Sequence, residues 1–346
     1  MSTTLIPKGY RPTMDVLQTE ICIKFVKDHF EAALARRLHL HRITAPLFVS
    51  SDSGVQDNLS GTERPVKFRI KADNDAEYEI VHSLAKWKRL ALHKYGFALG
   101  QGIYTDMNAL RPDEPLLDNL HSVYVDQWDW ERVMSPQQRT LDYLHGVVRD
   151  IWAAIKDTEW ELSVNFPQLR PFLPENIAFV HTEDLCLEFP SLTPQQRERE
   201  ACKRHGAVFI IGIGGTLPDG KVHDGRAPDY DDWTTPTTPG HAGLNGDIFV
   251  WNPLLEIPFE LSSMGIRVDG DAMLRQLEIR GCPERRQMPW HRMLLDGHLP
   301  QYIGGGIGQS RLCMLLMRRA HIGEVQVGLW PADVQQACAA AGITLL

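Results

Sequence analysis

The sequence predicts an α+β fold, a mainly antiparallel sheet flanked by helices. Three observations carry this. Two pairs of segments with alternating side chains, residues 101–114 with 120–133 and 246–253 with 259–268, read as antiparallel strands. Helical stripes stand apart from them at 14–40 and 136–163. Strands and helices do not alternate as βαβ units, so the segment QYIGGGIGQSRL at 301–312 is not the dinucleotide fingerprint of a parallel sheet.

Taken in order, Leu17, Ile21, Phe25, Phe30, Leu34 and Leu38 recur mostly every four residues, the stripe of one long amphipathic helix. ITAPLFV (43–49) then alternates Ile43, Ala45, Leu47 and Val49 as a strand. Pro46 lacks an N–H and confines that strand to an edge or an interface, which makes helix and strand a candidate dimer surface. A polar loop with Asp52, Asp57, Asn58, Ser60 and two glycines precedes a strand marked by Val66, Phe68 and Ile70. Residues 78–95 pass from strand into a helix with Lys86 and Arg89 on one side and Lys88 about 100 degrees away. These three read as surface cations.

In the strand at 123–131, Val123, Val125, Gln127, Asp129 and Glu131 share one face, and Tyr124, Asp126, Trp128 and Trp130 the other. Polar groups that continue an apolar face are out of place unless they bind something. Leu141, Leu144, Val148, Ile151 and Ile155 mark a scaffold helix; a short strand (177–181), a charged helix (194–205) and a buried apolar strand (207–213) follow. Residues 214–243 form a long polar loop with Arg226, Asp229, Asp231, Asp232 and His241, a length that goes with function and makes it the candidate to close over a ligand. Its acidic spacing does not fit a calcium loop.

On the next two strands, Asp247, Phe249 and Trp251 share a face, and so do Glu260, Ser262 and Met264. A carboxylate on each of two neighbouring strands suits Mg²⁺ on a polyphosphate. Helices at 270–281 and 289–297 lead to a glycine-rich turn, where Gly304, Gly305, Gly306 and Gly308 would let backbone approach a phosphate-bearing ligand. Plain turns and helix packing use the same glycines. Arg311 opens the last long helical run.

A net charge of −8 speaks against general affinity for nucleic acid. Six scattered cysteines without a CxxC indicate neither a zinc site nor a redox pair. The N-terminus lacks the apolar core of a signal peptide, and no apolar run approaches the roughly 20 residues that span a bilayer. A cytoplasmic protein without a membrane partner is expected.

QDNLSG, HSLAKWKR, ALRPDE, HSVYVDQWDWERV, RAPDYDDW, HAGLNGD, ELSSMGIRV and GGGIGQSRL occur in one order between Thr19 and Trp330. Together they closely resemble ammonia-dependent asparagine synthetase. The resemblance implies a class II aminoacyl-tRNA synthetase-like catalytic domain over residues 1–346, with 1–13 as an N-terminal extension, and a homodimer. The first helix with ITAPLF looks like class II motif 1, ALRPDE like motif 2 and GGGIGQSRL like motif 3.

The implied reaction joins L-aspartate and ammonia at the expense of ATP through β-aspartyl-AMP, releasing AMP and pyrophosphate. Arg111 then bridges the α-phosphate and the acyl oxygen, and Arg311 holds the terminal phosphate. Asp247 and Glu260 match the Mg²⁺ carboxylates. Asp57, Ser83, Lys88, Gln127, Asp231, Ser262 and Ser263 fall around aspartate; Asp129, Arg226, Gly306 and Gly308 fall nearer the nucleotide. Ser83 and Ser263 could equally serve a helix start or packing. The chain begins Met-Ser and pairs no cysteine with a histidine, so free ammonia, not glutamine, is the expected nitrogen source. The rival is a synthetase paralogue that binds amino acid and ATP for tRNA charging or sensing; the negative charge and the lack of room for an anticodon-binding domain weigh against charging.

Overall fold

The computed structural model describes residues 4–60 and 63–346; the initial Met-Ser and Gly61, the last residue of QDNLSG, lie outside the described residues. The elements run α1 (Val16–Leu38), β1 (Leu40–Arg42), β2 (Phe48–Ser50), β3 (Lys67–Ile70), β4 (Ala76–Ile80), α2 (Ala85–Tyr95), β5 (Gly102–Leu110), β6 (Tyr124–Met134), α3 (Leu141–Asn165), β7 (Ala178–His181), α4 (Thr182–Glu188), α5 (Pro194–His205), β8 (Ala207–Ile211), β9 (Asn245–Asn252), β10 (Ile257–Ile266), α6 (Gly270–Ile279), α7 (Pro289–Leu295), β11 (Gln301–Gly308), α8 (Gln309–Leu316) and α9 (Ala332–Ala340). The large sheet has the order β1-β5-β6-β11-β10-β9-β8-β7, and β2-β4-β3 form a smaller one. Neighbours in the large sheet are antiparallel except at its two ends, where β1 runs parallel to β5 and β7 to β8.

One face of the large sheet is dry. Trp128 and Trp130 of β6, Met264 of β10 and Ile303 and Ile307 of β11 pack there with Phe30 and Leu34 of α1, Ile151 and Ile155 of α3 and Leu312 of α8. The Asp15 carboxylate caps α1 by accepting from the Gln18 amide at 2.8 Å. Only the C-terminal half of the expected stripe is buried: Phe30, Leu34 and Leu38 point inward, whereas Leu17 and Ile21 are 70% and 55% exposed. A spacing of four drifts about 40° per step around a helix of 3.6 residues per turn, so the N-terminal inward face is Cys22, Ile23 and Val26 instead.

Three further expectations are corrected. ITAPLFV is not one strand, because the chain leaves the large sheet after β1 and joins the small one at β2, with Pro46 in the crossing where no amide is needed for a ladder. QYIGGGIG is not a turn: it is β11, paired on both sides with β10 and β6. Its glycines serve the neighbouring strand, since a Cβ on Gly304 would lie 2.2 Å from Glu131 Oε2 and one on Gly306 2.3 Å from Gln127 Oε1. The register of β10 against β9 slips between Glu260 and Ser262, so Ser263, not Ser262, stands opposite Asp247. Glu260 pairs with Phe249 and therefore shares the Asp247 face with Ser263, while Met264 turns into the dry core.

Candidate active site

On the sheet face opposite the tryptophans lies a cavity of about 700 Å³. Its floor is the sheet: Gln127 and Asp129 of β6, Gly306 and Gly308 of β11, and Glu260, Ser262 and Ser263 of β10. Ser83, Arg111, Arg226, Asp231 and Arg311 form its walls. Twelve of the fifteen residues that the sequence resemblance assigns to the site thus meet around one space, although they come from distant parts of the chain. Three do not reach it. Asp57, Lys88 and Asp247 stand one layer behind, each bonded to a group that does line the cavity.

Two cations converge. Arg111 leaves the end of β5 and donates to the His82 carbonyl at 3.1 Å. Arg311, in the first turn of α8, donates to the Glu260 carbonyl at 3.2 Å and lies 3.4 Å from the Glu260 carboxylate. Burial, and then the like charge of Arg311, lowers the pKa of Arg111. Two guanidinium groups held close enough to repel each other form a site that an anion would relieve.

The cations of α2 are not on the surface. Lys86, Lys88 and Arg89 are all buried: Lys86 and Lys88 meet carboxylates of the 214–243 loop and β6, and Arg89 donates to the Val268 carbonyl at 3.1 Å between the Trp290 and Tyr302 rings. Lys88 is ion-paired with Asp129, lies 3.6 Å from Glu131 and donates to the Trp130 carbonyl at 2.9 Å. Asp57 accepts from Ser83 Oγ and from the Ala85 amide, both at 2.7 Å, through Oδ2, while its buried Oδ1 has no hydrogen-bond partner among the described residues. Burial raises the Asp57 pKa, and the Lys86 charge opposes that.

Asp247 is bonded through Oδ2 to Arg226, which also pairs with Asp224. Its Oδ1 is buried without a hydrogen-bond partner among the described residues. Burial pushes the Asp247 carboxyl up; Arg226 opposes this and the negative charge of Glu260 adds to it. A buried carboxylate with a spare oxygen, electrostatically linked to a second carboxylate, is oxygen chemistry of the kind that hard divalent cations take. Among the described residues no cluster of three or more His, Cys, Asp or Glu side chains is arranged to hold a metal, so the pair would need phosphate or water oxygens to complete a shell.

The family described as Aspartate-ammonia ligase matches residues 17–342. The chain is 54% identical over 346 residues to an aspartate–ammonia ligase of Parabacteroides distasonis, covering all of both chains. It is 53% identical to that of Clostridium tetani, covering 99% of this chain and 97% of the other. The chain belongs to the aspartate–ammonia ligase family.

Among solved structures it is similar to asparaginyl-tRNA synthetase from Pyrococcus horikoshii complexed with asparaginyl-adenylate, at 15% identity and a TM-score of 0.65, covering 91% of this chain and 70% of the other. Aspartyl tRNA synthetase from Entamoeba histolytica gives 13% identity and a TM-score of 0.58 over 91% and 59%. The fold is that of class II tRNA synthetases, α+β as the strand pairs foretold.

For a ligase of this family the site holds residues that sequence reasoning missed. Arg267, on the cavity wall, donates Nε and Nη2 to the two Glu131 oxygens at 2.9 Å each and pairs with Asp231 through Nη1. Asp231 is thereby fixed from behind. Burial raises its pKa and Arg267 opposes the rise. The signal was present, since Glu131 stands on the Gln127 face, but nothing in the local sequence says that Arg267, at the end of β10, reaches across β11 to meet it. Lys86, Asp229 and His291 form a second buried group. No helix among the described residues is long and apolar enough to cross a membrane.

Proposed function

We propose that this chain makes L-asparagine from L-aspartate, ammonia and ATP through β-aspartyl-AMP, releasing AMP and pyrophosphate. The observation that carries the proposal is the convergence of Arg111 and Arg311 on a cavity whose floor and backing hold Lys88, Gln127, Asp129 and Asp231. A triphosphate and two carboxylates bring far more negative charge than a solvated surface would gather, and preorganised cations stabilise it where charge develops.

In this reading Asp231, with Ser83, Gln127, Ser262 and Ser263, receives the aspartate substrate, and Lys88 with Asp129 fixes the charges beneath it. The side-chain carboxylate of the substrate attacks the α-phosphorus, an O–P bond forms and pyrophosphate leaves. Arg111 stabilises the charge that builds on the α-phosphate and acyl oxygens. Arg311 holds the distal phosphates, and Gly306 and Gly308 leave the floor flat for the nucleotide beside Arg226. Asp247 and Glu260 would hold Mg²⁺, which supplies neutralisation of phosphate charge. Ammonia then forms a C–N bond to the acyl carbon, and the acyl C–O bond breaks with its electron pair leaving on AMP. The proton that the nitrogen nucleophile releases passes through the Ser83 hydroxyl, which lines the cavity, to the Asp57 carboxylate bonded behind it.

The whole of residues 1–346 serves as one catalytic unit in this proposal, working in the cytoplasm as a homodimer. Exposed Leu17, Ile21, Leu47 and Phe48, on α1 and around the Pro46 crossing, support a second copy on that side. Product analysis tests the reaction. Purified protein with Mg²⁺ and ATP should form AMP and asparagine only when aspartate and ammonium are both supplied, and ADP as the product would overturn the proposal.

A further inference from the structure

The loop that carries Arg111 joins β5 to β6, and in residues 111–123 Asn119 alone is buried. Its side-chain hydrogen bonds all leave the loop. Asn119 Oδ1 accepts from the Leu5 amide at 2.6 Å, and Nδ2 donates to the carbonyls of Leu5 at 2.8 Å and Ala320 at 2.6 Å. The Asn119 backbone carbonyl accepts from the Ile322 amide at 2.8 Å. Both N–H groups of the side chain thus meet carbonyls and its oxygen meets a donor, which fixes its orientation.

Further along, Tyr10 makes a second attachment. Its hydroxyl donates to the Glu324 carboxylate, 2.9 Å from Oε2 and 3.1 Å from Oε1. Glu324 Oε1 also accepts from the Ala320 and His321 amides at 2.9 and 3.1 Å. Residues 5–10 therefore clasp the 320–324 segment, and through Asn119 the 111–123 loop as well. Hydrophobic burial does not explain this course, because Leu5 and Ile6 stay 50% and 39% exposed.

Both clasped segments reach the cavity. Leu120, His121 and Ser122 line it directly after Asn119, and Ile322 and Gln326 line it from the other segment. Gln326 Nε2 donates at 3.0 Å to the hydroxyl of Ser310, the residue before Arg311, and its buried Oε1 has no hydrogen-bond partner among the described residues. The clasped walls thus belong to the Arg311 end of the site.

We propose that Asn119 is a positioning residue for the nucleotide, and that residues 5–10 are a brace that acts through Asn119 and Glu324 to hold both walls at the Arg311 end. The proposal rests on the reading that places the nucleotide there. A loop between two strands has many conformations to lose, and the brace removes them before the nucleotide arrives instead of when it binds. Arg111 is anchored separately, since its own amide donates to the Val123 carbonyl at 2.8 Å. Neither Asn119 nor the brace lines the cavity, so the signature is tighter ATP binding and not faster chemistry.

The test is steady-state kinetics on the intact chain with ATP and aspartate varied in turn, alongside urea unfolding. Asn119→Ala should raise the KM for ATP about tenfold, with kcat and the KM for aspartate within about twofold of wild type. Leu5→Pro removes the amide that donates to Asn119 Oδ1, and Tyr10→Phe removes the hydroxyl that donates to Glu324. Each should raise the KM for ATP by about threefold or more. Adding Leu5→Pro to Asn119→Ala should change little further, because both break one attachment.

A lower urea midpoint with an unmoved KM for ATP would overturn the inference, as would a rise in the KM for aspartate as large as that for ATP. Additive effects in the double variant would overturn the claim that the brace acts through Asn119. If Asn119→Ala does not fold, Leu5→Pro and Tyr10→Phe decide by the same criterion. Failure of the underlying ligase reading looks different, because the wild-type protein would then form no AMP with aspartate and ammonium.

Discussion

Gly304→Ala tests how the sheet holds the amino-acid end of the site. A Cβ there would sit 2.2 Å from Glu131 Oε2 and 2.6 Å from the Trp130 carbonyl oxygen. The carbonyl belongs to the backbone of β6 next to β11 and cannot retreat, so the Glu131 carboxylate must move. It accepts both 2.9 Å bonds from Arg267, which in turn pairs with Asp231. Breaking a buried pair by losing one partner costs about 3–5 kcal/mol, and overpacking alone about 1–3 kcal/mol. Glu131 also has Lys88 at 3.6 Å, which softens the loss, so about 3 kcal/mol is expected. Urea unfolding should show it as a lower midpoint with an unchanged slope. Asp231 loses its anchor as well, and the KM for aspartate should rise at least about tenfold, equivalent to about 1.4 kcal/mol. A variant within about 1 kcal/mol of wild type, with normal KM, would refute the claim that this glycine exists to admit Glu131.

Gly306→Ala should behave differently, because the atoms its Cβ would crowd most belong to the movable end of Gln127, 2.3 Å to Oε1 and 3.3 Å to Nε2. Stability should stay within about 1 kcal/mol while aspartate activation falls; a destabilised but fully active variant would contradict this. Arg311→Ala should cut pyrophosphate release by about a hundredfold or more with the fold intact by circular dichroism. Arg111→Ala should slow single-turnover adenylation while ATP still binds, and an unchanged adenylation rate would remove its assigned role.

Acid stability should depend on His321, whose buried ring has its pKa lowered from 6.5 to about 4 by desolvation. The folded state keeps the ring neutral while the unfolded chain binds a proton, so stability is full above pH 6.5 and is lost as pH falls towards 4. The loss amounts to at most about 3 kcal/mol. His321→Asn, which keeps an acceptor for the Gly323 amide, should flatten that decline in denaturant titrations at several pH values.

What the sequence disclosed and what it hid follow from the range of the forces involved. The β5/β6 hairpin and the shared face of Gln127, Asp129 and Glu131 were legible, because strand alternation is a local rule. The sites of Arg111 and Arg311 were legible only through whole motifs, since nothing adjacent to either residue names its partner. Lys86, Lys88 and Arg89 look like a solvated face until the opposite wall is known; the hydrogen-bonded partners lie 41 or more positions away, Asp229 for Lys86, Asp129 for Lys88 and the Val268 carbonyl for Arg89. The slip at Leu261 adds one residue to one strand, and no pattern of residue types marked it. The run of glycines suggested a turn by composition, whereas their use is steric, to let side chains of β6 lie across β11.

The most direct test of the β-aspartyl-AMP route is to supply aspartate carrying heavy oxygen in its side-chain carboxylate and to measure the label in the AMP formed with ammonium and ATP. The account predicts one labelled oxygen in the phosphate of each AMP, carried over when the acyl C–O bond breaks. AMP without label would contradict it.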